Sequence, residues 1–317
     1  MKSWIQAFRL KTLPLAVSGI ALGAALAGMH GKFSSIVFLL ASFTAVSLQI
    51  LSNLANDYGD FMKGTDKAAN RTDRALTSGS IAPQQMKTAL MVNGLVALVL
   101  GLLLLYIYLP NLQSFGIFLA LGILGILAAL GYTLGKRAFG YSGLGDVVVF
   151  IFFGPVAVCG TFYLMAAILM PQIWLAAMGM GLLSAAVLNV NNMRDTETDN
   201  LSGKLTLALR MGKRLSLMYH KALVLLGFIF VFASFLSEGG SLQIRPNLTE
   251  PMLLLLVYAP VILLLTRHTN RVSELNNQIA PTTPEARVPW NAELKNLSLT
   301  ILLLVTMYAL TVWLFVG

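Results

Sequence analysis

Nine apolar runs constrain this chain more than any other feature, at approximately residues 12 to 29, 34 to 55, 88 to 109, 113 to 134, 144 to 166, 171 to 191, 218 to 236, 251 to 266 and 297 to 316. Most are close to the roughly 20 residues that a helix needs to cross a bilayer core. Inside hydrocarbon only helices and closed barrels satisfy their own backbone groups, so runs of this length point to helices. The expectation is an all-α membrane protein, a bundle of about nine transmembrane helices forming a single integral-membrane domain over residues 1 to 317. Composition agrees, with 57% hydrophobic and only 11% charged residues in 317, far from the balance of a soluble domain. The run at 251 to 266 is the shortest. Pro14, Pro155 and Pro260 fall inside runs, where neighbouring helices can satisfy the freed carbonyls.

Charge fixes the expected orientation. Three Lys or Arg precede the first run, five lie between the second and third, two between the fourth and fifth, six around the sixth-to-seventh connection and four in the last connection. With a cytoplasmic N-terminus these make 20 of the 22, leaving only Lys32 and Arg245 outside. The positive-inside bias therefore predicts N-terminus in and C-terminus out. The net charge of +9 is accounted for by this topology, and no nucleic-acid partner is expected. Lys2, Arg9 and Lys11 ahead of an apolar run ending in Ala25-Leu26-Ala27 have the outline of a signal peptide, but further spans follow at once, so a retained first helix is expected. The segment from Trp4 to Leu10 reads as a short interfacial helix. Cys159 stands alone, which leaves no thiolate metal site.

Two of the runs end in acidic, amide-rich stretches. Asn53 to Asp66 contains Asn56, Asp57 and Asp60, and Asn189 to Asp199 contains Asn192, Asp195 and Asp199. On a helix, Asn56 and Asp60, and likewise Asp195 and Asp199, are i,i+4 neighbours whose oxygens can converge. Both stretches are expected at the same membrane face, which suggests a shared site. Oxygen donors without His or Cys suit Mg²⁺ rather than zinc. Taken singly, each acid could be a solvated helix cap. A repeat of acidic helix end, polar loop and further span over helices two to four and six to eight suggests an internal duplication.

Cations border these acids. Lys63, Lys67, Arg71 and Arg74 follow the first cluster, and Arg194, Lys204 and Arg210 the second, so a diphosphate could be held by Mg²⁺ together with Lys63, Arg71, Arg74, Arg194 and Lys204. Cytoplasmic loops also collect such residues merely to set topology. Tyr132 and Lys136, i,i+4 at the end of the fourth run, bring a phenol and an ammonium to the same face, where they could equally be interfacial anchors. Asp146 opens the fifth run as a favourable N-terminal charge or a site group. The stretch from Asn270 to Trp290, with Pro281, Pro284 and Pro289, reads as a linker without chemistry.

At these residues the chain resembles the UbiA-type superfamily of membrane-embedded aromatic prenyltransferases. Asn56-Asp57-Tyr58-Gly59-Asp60 is similar to its first motif, Asp195 to Asp199 to its second, Tyr132 to Lys136 to its Tyr-x-x-x-Lys element and Arg71 to Gly79 to its arginine-containing loop. Lys63 to Asp66, Asn191 to Asp195 and Gly203 to Ala208 resemble the branch that prenylates 1,4-dihydroxy-2-naphthoate in menaquinone synthesis. The resemblance implies a central cavity opening to the lipid bilayer, capped by cytoplasmic loops. It implies polyprenyl diphosphate and the naphthoate as substrates, and Asp57, Asp60, Asp195, Asp199, Tyr132 and Lys136 as catalytic residues. Asn56 and Asn192 would join the aspartates around Mg²⁺, and Tyr58 or Tyr132 would steady an allylic cation. Relatives acting on 4-hydroxybenzoate or homogentisate are the nearer alternatives. A polytopic transporter is a further one, though it would place its acids near the bilayer midplane, and so is a non-catalytic lipid-binding protein. Nothing in the sequence specifies an oligomeric state.

Overall fold

The computed structural model describes residues 2–65, 74–109, 111–135, 138–241, 250–278, 281 and 283–316. All its regular elements are helical. Helix α1 (Lys2–Phe8) lies where a short interfacial helix was expected. It ends at Arg9, whose left-handed backbone (φ 52°) turns the chain through a 3₁₀ segment, Leu10–Thr12, into α2 (Leu13–Met29). Pro14 sits in the first turn of α2, where its missing N–H costs no hydrogen bond. Helix α3 (Ser35–Met62) is capped by Ser34, which accepts from the Val37 N–H. Helix α4 (Pro83–Tyr108) again opens on a proline, and α5 (Leu112–Gly131) on Asn111, whose side chain accepts from Gln113 N at 2.9 Å. Helix α6 (Gly145–Ala166) widens to π geometry over Phe152–Cys159 around Pro155, the usual accommodation of a proline inside a helix. Then come α7 (Ile173–Arg194), the short α8 (Thr196–Leu201), α9 (Leu207–Ser241, kinked at Gly212), α10 (Glu250–Asn276) and α11 (Val288–Val316).

Among the described residues eight helices have the length and apolarity to cross a membrane. The ninth expected span falls on α10, which runs on past it into polar turns from Arg267 onward. It nonetheless packs along the height of the bundle. Tyr258 meets Phe232 of α9 edge-on at 5.5 Å. Ten residues on, His268 bonds His220 of α9 at 3.1 Å and Glu293 of α11 at 2.7 Å, a buried polar chain tying three helices together. Several helices outrun their apolar runs at one end. Helix α3 continues to Met62, α4 begins at Pro83, α9 at Leu207 and α11 at Val288, so the polar residues read as loop are in part helical turns.

Helix α7 is the central post, buried along Ile173, Ala177, Met180, Leu183, Ala186 and Val190. Its small residues admit α6 closely: a Cβ on Gly154 would stand 2.4 Å from the Ala177 carbonyl and 2.9 Å from Gly181. By contrast, α4 and α5 expose Leu95, Leu102, Ile117, Leu124 and Leu127, a surface suited to lipid. Between α2, α3, α4, α5 and α6 lies an apolar cavity of about 260 Å³, lined by residues such as Ile20, Leu48, Leu105, Phe152 and Val156. Tyr132, Phe139, Gln49 and Ser52 line its polar end.

Candidate active site

Both acidic stretches reach the same end of the bundle. In the first, the helical register of α3 holds as expected, with Asp57 and Asp60 buried. Gly59 between them is what lets the end of α5 approach, because a Cβ there would stand 2.6 Å from Thr133 Cγ2. Thr133 bonds the Asn56 side-chain amide at 2.8 Å. Turning that amide leaves this bond in place and lets its oxygen accept from Arg9 at 3.0 Å, the arrangement that satisfies both groups. In the second stretch the helix breaks. Asp195 closes α7 and opens α8, but the Asp199 N–H still donates to the Asp195 carbonyl at 2.8 Å, which preserves the i,i+4 relation across the break.

The acids divide into two groups. Asp57 is shared by Arg9, at 2.5 Å, and Arg74. Asp195 is held by its neighbour Arg194, whose Nε donates at 2.9 Å, while that guanidinium also reaches Asn191 and Asn291 at 2.7 Å each. Asp60 and Asp199 instead surround a buried lysine. Lys204 Nζ stands 3.9 Å from Asp199 Oδ1 and 5.7 Å from the ring centres of Tyr132 and Tyr141. Tyr141 donates to Asp60 at 3.1 Å and carries Lys63 over its ring at 3.7 Å.

These contacts set the protonation states. Burial, reinforced by Asp195 and Asp60 and opposed by Lys204, pushes the Asp199 carboxyl up to about 7. Burial alone would lower Lys204, but Asp199 and Asp60 outweigh it and hold the ammonium above the usual lysine range. Burial pushes the Tyr132 and Tyr141 phenols up to about 12, so both stay neutral. Lys63 is lowered, by desolvation first.

Among the described residues several buried oxygens at this end have no hydrogen-bond partner: Asp199 Oδ2, Asn192 Oδ1 and Asn189 Oδ1. Unpaired acceptors of this kind are costly unless something fills them. Among the described residues no three His, Cys, Asp or Glu side chains converge as a ready-made metal cluster. The donor set nevertheless fits Mg²⁺, which takes few protein carboxylates and completes its shell with water and substrate phosphate oxygens.

Arg71 and Lys136 lie outside the described residues. Tyr58 packs against an apolar cluster with Leu51, Leu54 and Met86. Asp146 is buried at the start of α6 and accepts from Tyr219 at 3.5 Å. Arg9, Lys11 and Tyr141 also lie at this end, although no motif spacing in the sequence marks them as site residues. Asn291 follows directly on the stretch whose prolines suggest a linker. Within that stretch Arg287 and Trp290 are buried.

Residues 16–279 match the model of the UbiA prenyltransferase family. The chain is 46% identical over 235 residues to the 1,4-dihydroxy-2-naphthoate octaprenyltransferase of Escherichia coli strain K12, covering 74% of this chain and 76% of that one. It is 35% identical, again over 235 residues, to the enzyme of the same description from Mycobacterium tuberculosis, covering 74% and 78%. In three dimensions it is similar to a UbiA homologue from Archaeoglobus fulgidus bound to DMAPP and Mg²⁺, with a TM-score of 0.58, 17% identity and 98% of each chain covered, a likeness of fold.

Proposed function

The chain belongs to the UbiA prenyltransferase family, and from that premise we propose that it moves a polyprenyl group from polyprenyl diphosphate to 1,4-dihydroxy-2-naphthoate, with loss of carbon dioxide, as one prenyltransferase domain over residues 1–317. The observation that carries this reading is the junction of the Asp60, Asp199 and Lys204 cluster with the polar end of the apolar cavity, where Tyr132 belongs to both. An isoprenoid tail suits the cavity and a diphosphate suits the cluster.

When bound, Mg²⁺ held by Asp60 and Asp199, with Asn56, Asp57, Asn192 and Asp195 around them, would neutralise the diphosphate and favour its departure. Lys204 and Lys63 stand beside the same carboxylates and would bind phosphate oxygens directly. Arg74 and Arg194, expected as further diphosphate ligands, are held by Asp57 and Asp195. As the C1–O bond of the prenyl diphosphate breaks, positive charge grows on the allylic carbons. The neutral rings of Tyr132 and Tyr141 already accommodate one cation, the Lys204 ammonium, and would steady this one. The naphthoate carbon bearing the carboxylate then forms the new C–C bond, and the electron pair left by departing carbon dioxide restores the aromatic ring. The two products released are carbon dioxide and diphosphate, with no net proton change at the ring.

The charge bias of the loops supports placing this end of the bundle in the cytoplasm, with the N-terminus inside and the C-terminus outside a bacterial inner membrane. The lipid bilayer would then receive the part of the tail that the cavity does not hold. The test is to offer purified protein one labelled polyprenyl diphosphate with 1,4-dihydroxy-2-naphthoate, 4-hydroxybenzoate or homogentisate. Preference for the naphthoate by tenfold or more supports the reading, and preference for 4-hydroxybenzoate with its carboxylate retained overturns it.

A further inference from the structure

The apolar cavity has a floor. Among the described residues its lining on α5 ends at Phe118 and on α6 at Leu164, both at the end away from Tyr132. The Phe118 ring stacks on Tyr163 at 5.5 Å and 23°, and the Tyr163 and Ser114 hydroxyls share a hydrogen bond of 2.7 Å. Phe118 also lies against Gly160, where an added Cβ would stand 3.6 Å from its Cε1. Beside it Val37, Ala41 and Leu104 are buried together with Leu164 packed against them, which closes the α3 and α4 side of the floor. By contrast, Leu102 and Ile123 line the cavity and are exposed on its α4–α5 flank. The cavity is therefore closed at its far end and open at its side.

The depth of this floor is a length. From Tyr132 to Phe118 the cavity follows α5 for about 21 Å at about 1.5 Å per residue. An isoprene unit adds four chain bonds of about 1.5 Å, so an extended unit advances about 5 Å and the cavity takes about four units. Resting on the prenyltransferase reading above, we propose that Phe118, braced by Tyr163 and Ser114, sets how many isoprene units of the donor the protein grips. A tail that ends above the ring lies wholly against protein, and each of its units adds buried apolar surface. A longer tail meets Phe118 and leaves through the flank at Leu102 and Ile123 into lipid, where further units gain no protein contacts. Phe118 is thus a specificity-determining residue for the donor, remote from the diphosphate cluster.

The test uses full-length protein in lipid nanodiscs, with 1,4-dihydroxy-2-naphthoate and geranyl, farnesyl, geranylgeranyl, hexaprenyl or solanesyl diphosphate. The readout is the variant-to-wild-type ratio of kcat/KM for each donor, in which the donor's own partition into lipid cancels. Phe118→Ala deepens the cavity. Its ratio should rise to as much as about tenfold for hexaprenyl and solanesyl diphosphate, the worth of a few further buried CH₂ groups. Geranyl and farnesyl diphosphate stop short of the ring, so their ratios should stay near unity, which also shows that the fold and the diphosphate site are intact. Gly101→Leu works in the opposite sense. Gly101 lines the cavity across from Thr44, where an added Cβ would stand 3.8 Å from Thr44 Cγ2, so a leucine there fills the path of the tail. It should lower the ratio for geranylgeranyl diphosphate about tenfold relative to that for geranyl diphosphate. A Phe118→Ala ratio that is the same for every donor, or that falls with length, overturns the proposal. Failure of the wild-type protein to use any of these donors with the naphthoate would instead strike the reading of function.

Discussion

Lys204 and Asp199 face each other at 3.9 Å while, among the described residues, the second oxygen of the Asp199 carboxylate has no partner. A buried carboxylate of this kind has the chemistry to hold a divalent cation beside a phosphate. Activity should therefore require Mg²⁺, vanish in EDTA and return on adding Mg²⁺ in excess. Full turnover in EDTA would remove the metal from the account.

The same carboxyl makes a pH prediction. Its folded-state value, about 7, is raised above the ordinary carboxylate range by burial first and by Asp195 and Asp60 next. For the metal-free fold this contribution to stability is present at acid pH and is lost as pH rises through about 7. Metal binding needs the carboxylate, so Mg²⁺ affinity should climb up to tenfold per pH unit below about 7 and level off above it. Calorimetry in buffers of different ionisation enthalpy should find nearly one proton released per Mg²⁺ at pH 6 and almost none at pH 8. Equal release at both would contradict the assignment of Asp199.

The four aspartates should not behave alike when replaced. Asp60→Asn and Asp199→Asn should lower turnover by about a hundredfold or more with little change in melting temperature, since each leaves the other acid beside Lys204. Asp57→Ala removes the carboxylate that Arg9 and Arg74 share, and removing one partner of a buried ion pair costs about 3–5 kcal/mol. That variant should lose stability as well as rate. Melting curves alongside initial rates make the comparison, and equal destabilisation by all four would argue against the division into two groups.

Much of this architecture could be read from the chain alone. Apolar runs of near-bilayer length placed the helices, and the spacing of Asn56, Asp57 and Asp60 gave their common face on α3 because that stretch is continuous helix. The second stretch was legible for a different reason: the Asp199 to Asp195 backbone bond keeps the helical spacing although α7 ends between them. Arg9, Lys11, Tyr141 and Asn291 were hidden. Each reaches the site through tertiary contacts across many residues, such as Lys11 to Asn291, which no local pattern encodes.

Gly59 tests how tightly the site is assembled. A methyl group there would meet Thr133 at 2.6 Å at Cγ2 and at 3.1 Å from its backbone carbon. Gly59→Ala should therefore displace the end of α5 and Tyr132 with it, cutting kcat by at least tenfold although glycine to alanine in a helix is otherwise favourable. Unimpaired turnover would show that α5 can retreat without disturbing the chemistry.

The most direct test of the central claim is the stoichiometry of the products. Purified protein given 1,4-dihydroxy-2-naphthoate labelled in its carboxyl carbon, polyprenyl diphosphate and Mg²⁺ should release carbon dioxide and diphosphate one for one with prenylated product. Diphosphate release with the label retained in the product would contradict it.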